Sequence, residues 1–272
     1  MKRSLLTILF CIFLTFILSS CGGGGNTNPS DNNGYDASKP WQLVWEDDFN
    51  HGTLNTEDWS PAVQGLNYNN EDQAYIAENV GVDPDYEVLA LIAKKEHWEG
   101  LSGRADNPTA TVSQEYTSGE ANTKRSWKYG KFEVRAQFPT TPGILSAVWM
   151  TPLDKSWPPE IDIVEMLGHD PSTLYFTNHY GTAENHQKQS NHYVGDDFSG
   201  AFHTYSVEWE PGVIRWYVDG VKRYESRTGI PDKPFILRIS LPVGPDWEGN
   251  PTDSSEFPVG LLVDWVRVYQ RG

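Results

Sequence analysis

The sequence predicts an all-β domain, either a sandwich or a barrel. Apolar and polar residues alternate with period two over many short runs. Gly, Pro, Asn and Asp collect between those runs, and stretches with a 3.6-residue apolar period are scarce. A length of 272 residues is enough for one large domain with a sizeable core.

The elements follow in order. Met1-Lys2-Arg3 is a short basic start, and "LLTILFCIFLTFIL" after it is an apolar run of 14 residues, short for a membrane span. "LSSC", Leu18 to Cys21, resembles a bacterial lipoprotein cleavage signal. That resemblance implies a signal peptide over 1–20, a lipidated Cys21 and an exported protein anchored to the cell envelope by lipid alone. The other reading is an ordinary secretory signal with a chance cysteine. Cleavage would remove Cys11 and leave Cys21 as the sole cysteine, so no disulfide and no thiolate metal site is expected. Residues 22–39 are mostly Gly, Asn, Ser and Asp without apolar period, which fits a flexible linker over 21–40 and a folded domain over 41–272.

Within the domain, "WQLVWEDDF" alternates and is rich in aromatics. "KYGKFEVRAQF" sets Phe132, Val134, Ala136 and Phe138 against Lys131, Glu133, Arg135 and Gln137. "HTYSVEWEPGVIRWYVDGVKRYE" reads as three strands joined by an "EPG" and a "DG" turn. "PFILRISLPV" and "GLLVDWVRVYQ" are further strands. The net charge of −16 argues against nucleic acid and anionic membrane surfaces as partners. It also disfavours a highly sulfated substrate unless a local basic patch intervenes.

"SWPPEIDIVEMLG" carries the chemistry. Glu160, Asp162 and Glu165 stand in an apolar, β-branched run, where an acid costs several kcal/mol unless it is paired or hydrogen-bonded. On a strand, Glu160 and Asp162 share one face and Glu165 has the wrong parity. One extra residue near Val164, a β-bulge, would bring all three to that face. A helix, at about 100° per residue, would turn Glu160 away from the other two. Side-by-side carboxylates spread their pKa values, leaving one protonated and one ionised, as a retaining glycosidase requires. A cation site or a solvated acidic edge would also place acids this way.

"EIDIVE" resembles the catalytic signature of glycoside hydrolase family 16 in its bulged form. "WQLVWEDDFN", "NYNNEDQAY", "YGKFEVRAQFP", "AVWM", "FHTYSVEWEPGVIRWYVDG" and "LLVDWVRVYQ" follow that family's order over roughly residues 41–270. The resemblance implies a concanavalin A-like β-sandwich jelly roll of two curved antiparallel sheets, with a substrate cleft across the concave face. It implies Glu160 as nucleophile, Glu165 as acid/base and Asp162 as the residue between them. It also implies an endo-acting hydrolase of a β-1,3 or mixed β-1,3/1,4 glucan; the alternative within the fold is a hydrolase of a galactan of agar, porphyran or carrageenan type. A non-catalytic carbohydrate-binding protein is the reading from another class, and the three retained acids argue against it.

Several residues follow as candidates for the cleft. Trp157 and Trp247 stand in loop-like contexts and would offer flat faces to sugar rings, and Trp149 is a further candidate. Trp209, Trp216 and Trp265 lie on strands and are expected in the core. His179 in "TNHYG" and the Asn70-Glu71 pair match cleft segments of the family. No cofactor is expected for catalysis. The resemblance allows a structural calcium ion at Asp48 and Asp264, although "DYEVLAL" departs from the family's usual Gly-Asn-Leu. A monomer is expected.

Overall fold

The computed structural model describes residues 35–272. The expected signal peptide, Cys21 and the linker through residue 34 lie outside the described residues. The strands are β1 (Gln42–Asp47), β2 (Trp59–Pro61), β3 (Gln73–Tyr75), β4 (Val80–Asp83), β5 (Val88–Leu101), β6 (Thr111–Ser118), β7 (Glu120–Thr123), β8 (Gly130–Gln137) and β9 (Leu145–Pro152). They continue with β10 (Glu160–Leu167), β11 (Thr173–Gly181), β12 (His186–Val194), β13 (His203–Glu210), β14 (Val213–Val218), β15 (Val221–Ser226), β16 (Phe235–Ser240) and β17 (Val259–Gln270). The one helical piece among the described residues is a 3-10 turn at Ala77–Asn79.

The strands form two sheets. One runs β15-β14-β13-β8-β17-β5-β6-β3, with β1 added on β17 and β4 on β5; the other runs β12-β11-β10-β9-β16-β7-β2. All pairings between strands are antiparallel except β3 with β6. The two-residue "DG" turn between β14 and β15 forms as its sequence demands, because Asp219 and Gly220 both take positive φ.

The core lies between the sheets. Period-two alternation on β8 buries Phe132, Val134 and Ala136 and leaves Lys131, Glu133 and Arg135 outward. Val148 and Met150 of β9, Ile161 and Met166 of β10, and Leu237 and Ile239 of β16 meet them in the same apolar cluster. Each large side chain removed from water here contributes about 1.5–3 kcal/mol. Trp209 and Trp216 are fully buried, as expected. Trp265 is not. The ladder between β17 and β8 shifts register between Val263 and Trp265, so the extra residue turns this ring outward, where Arg267 lies 4.2 Å from its centre.

Residues 35–40 belong to the packed structure although the sequence reads as linker there. The Tyr35 hydroxyl donates to Glu210, Arg271 donates to the Ala37 carbonyl, and the Tyr35 ring meets Tyr129 edge-on at 5.7 Å.

Candidate active site

β10 is the central strand of the site. Its ladder to β11 shifts register between Asp162 and Glu165, and its ladder to β9 shifts between Asp162 and Val164. The bulge expected near Val164 is therefore present, and it gives Glu165 the parity of the other two acids. Ile161 and Met166 point into the core while the acids point outward. The bulge takes the Asp162 carbonyl out of the regular ladder, and the Trp216 indole from the opposite sheet donates to it at 2.8 Å. A buried carbonyl left without a donor would cost about 1–3 kcal/mol.

Cross-strand neighbours surround the acids in register. Glu160 faces His179, Asp162 lies between Thr177 and Trp149, and Glu165 lies between Tyr175 and Ala147. His179 Nε2 is 3.1 Å from Asp162 and 3.6 Å from Glu160. Trp157 Nε1 donates to Glu160 at 3.2 Å. Trp149 donates to Ser240 at 3.0 Å, and the Arg238 guanidinium lies 4.2 Å over its ring. Trp149 is thus part of the floor. Trp157 and Trp247 are 48% and 47% exposed and present open faces.

The two glutamates differ in their surroundings. Burial, with Asp162 and then Glu165 beside it, pushes the Glu160 carboxyl well above the usual carboxylate range; the Trp157 indole and the Arg238 charge oppose this. Burial and Asp162 push Glu165 up in the same direction, and Lys188 of β12 opposes it weakly. Among the described residues no side chain donates a hydrogen bond to Glu165. Donors to Glu160 favour its anion, while a buried carboxyl without donors keeps its proton. The Trp157 indole thus gives Glu160 a donor that Glu165 lacks, while burial pushes both carboxyls upward.

The loops at the ends of the strands complete the cleft. Asn70 takes positive φ and its amide donates to both oxygens of Asp246, at 2.9 and 3.1 Å. Close by, Gly244 makes room for the Asp72 side chain: a Cβ there would lie 2.3 Å from an Asp72 oxygen. Asn70 thus acts on the site through the Asp246 loop, which carries Trp247 against the edge of Tyr175 at 4.7 Å. Glu248 anchors the same loop by accepting from the Gly143 N–H and His169 Nδ1, both at 2.8 Å. Glu71 accepts from Gln73 at 2.7 Å, and burial raises its carboxyl to about 7.

The cation expected between Asp48 and Asp264 does not fit this structure. Arg135 of β8 makes an ion pair with Asp264, so an internal guanidinium already neutralises that carboxylate. Glu133, its neighbour on the strand, pairs with Lys131 at 2.6 Å instead. The donor atoms that gather near Asp48 come from Asp47 and His51, and the Asp47 oxygens already accept from Phe49 N–H and Trp59 Nε1 at 2.9 Å each.

Reading the sequence missed Arg238 and its ion-pair partner Glu120, and also Ser240, Tyr175, His186 and Lys188. One signal was available. In "FILRIS", Arg238 and Ser240 interrupt an apolar strand at period two, which marks its outward face.

Two carboxyls side by side on the outer face of a β-sandwich, with exposed indoles beside them, are the equipment of a glycoside-cleaving enzyme. The family model for glycosyl hydrolases family 16 matches residues 70–267. The chain belongs to that family. It is 34% identical to a beta-glucanase of Rhodothermus marinus, covering 95% of this chain and 93% of the relative. It is also 34% identical to glucan endo-1,3-beta-glucosidase A1 of Niallia circulans, covering 84% of this chain but 38% of that longer protein. Among solved structures, the catalytic domain of an endo-1,3-beta-glucanase (laminarinase) from Thermotoga petrophila superposes with a TM-score of 0.73 at 32% identity, over 86% of this chain and 99% of that one.

Proposed function

We propose that the chain is a retaining endo-hydrolase of a β-1,3 or mixed β-1,3/1,4 glucan. The observation that carries the chemistry is the bulged β10, which sets Glu160 and Glu165 on one face, with a Trp157 donor at Glu160 and none at Glu165, and this supports Glu160 as the anion and Glu165 as the acid. The substrate class is supported by the glucanase relatives and by the Asn70-Glu71 segment beside the cleft.

In the first step a Glu160 oxygen attacks the anomeric carbon, and the bond to the glycosidic oxygen breaks. Glu165 gives its proton to that leaving oxygen. Glu165, now a carboxylate, takes a proton from water. The resulting hydroxide attacks the anomeric carbon and releases Glu160, and Glu165 is protonated again. Asp162, held by His179, lies between the two and tunes their ionisation. Carboxylates and water suffice for both steps. Trp157 and Trp247 would pack against sugar faces on either side.

Two measurements test this. NMR of the first-formed product should show retained anomeric configuration; inversion would remove Glu160 as nucleophile. A product profile should show laminarin or mixed-linkage glucan depolymerised, and action on agarose or carrageenan alone would overturn the substrate class. The "LSSC" segment supports export with a lipid on Cys21 as the sole membrane attachment. A Cys21→Ser variant should then leave the membrane fraction with its activity intact, and wild-type protein already fully released would overturn the anchor.

A further inference from the structure

Behind Asp162 stands a chain of two histidines. His179 Nε2 faces Asp162 at 3.1 Å, and its other ring nitrogen, Nδ1, lies 2.8 Å from Nε2 of His186. His186 opens β12 and is exposed, with its ring 4.8 Å from that of Trp157. Trp157 is the same indole that donates to Glu160.

The neighbours of the pair favour one arrangement of its protons. Two carboxyls, Asp162 and Glu160, face His179 Nε2, so that nitrogen must carry hydrogen to donate. In a neutral ring Nδ1 is then an acceptor and needs a donor. Among the described residues, His186 offers it. Burial above all, with the Lys188 charge beside it, lowers the pKa of His186, which favours a neutral ring with one N–H to give. The charged and titratable groups around the pair are Glu160, Asp162 and Glu165 from β10 and Lys188 from β12, with Arg238 of β16 acting on Glu160.

We infer that His186 is a positioning residue for the double displacement: by donating to His179 Nδ1 it holds His179 in the Nε2–H tautomer that orients Asp162 between the two glutamates. The inference rests on the proposed retaining mechanism. It assigns His186 no contact with the reacting atoms.

Two variants and one background test it. His186→Ala removes the donor, and kcat should fall about tenfold, the order expected for one lost hydrogen bond, with KM changed less than twofold. His186→Gln keeps an N–H and should recover most of the loss. In a His179→Ala background the His186→Ala change should add less than twofold. Nitrogen-15 spectra of the ring nitrogens should place the His179 proton on Nε2 in the wild type and show mixed tautomers in His186→Ala. Unchanged kcat, a change confined to KM, or an equal loss in the His179→Ala background would each overturn the role of His186. Retained configuration in the wild type alongside such a result would leave the displacement mechanism standing.

Discussion

The Trp216 indole, rooted in one sheet, donates to the Asp162 carbonyl in the other at 2.8 Å. The bulge that aligns the acids therefore depends on a side chain more than fifty residues further along the chain. A Trp216→Phe variant should lose about 1–3 kcal/mol of stability from the unsatisfied carbonyl. Its kcat should fall further than its stability accounts for. Trp209→Phe is the control, since Trp209 donates to Pro231 at 3.0 Å and not to β10. Thermal melts and kcat for both variants check this, and equal kcat losses would show that the bulge does not depend on Trp216.

The three acids should separate by substitution. Glu160→Ala should lose nearly all turnover, and added formate should restore part of it by standing in for the missing carboxylate. Glu165→Ala should recover best on substrates whose leaving group needs no proton. Asp162→Asn should slow turnover less than either change, because Asp162 tunes and does not react. Steady-state rates on polymeric and activated substrates provide the comparison.

Lys188 lowers the Glu165 pKa by its charge. The acid must be protonated to act, so activity falls as pH rises through that pKa. Replacing Lys188 with Met should raise the pKa and move the alkaline limb of kcat/KM to higher pH. A limb displaced to lower pH, or not at all, would contradict the assignment of Glu165 as the acid.

Glu71 has a folded-state pKa of about 7, raised by burial above the ordinary 4.5. The folded protein therefore binds this proton more tightly than the unfolded chain does. The associated stability is present below pH 4.5 and is lost as pH rises through 7. Glu71→Gln should accordingly raise stability at pH 8 by on the order of 3 kcal/mol, seen as a higher melting point, and change it little at pH 4. Melting curves at the two values decide it.

Much of the fold was legible because its signals are local. Alternation on β8, the "DG" turn and the parity of Glu160, Asp162 and Glu165 are all readable within about ten residues. The rest depends on register between distant strands. A bulge at Val263–Trp265 exposes a ring that strand parity puts in the core. Asp264 resembles a cation ligand until Arg135 arrives from β8. Arg238 meets Trp149 only because β16 pairs with β9, and nothing within either segment announces that neighbour.

Tyr35 docks at the end of the β13–β14 hairpin, beside Glu210 and Arg215. That hairpin belongs to the sheet that bears no catalytic acid. A pull applied at Tyr35 would run into the Glu210–Arg215–Arg271 ion pairs. Tyr35 thus ties the start of the described chain to the ten-stranded sheet and leaves the sheet that carries β10 untouched by that attachment.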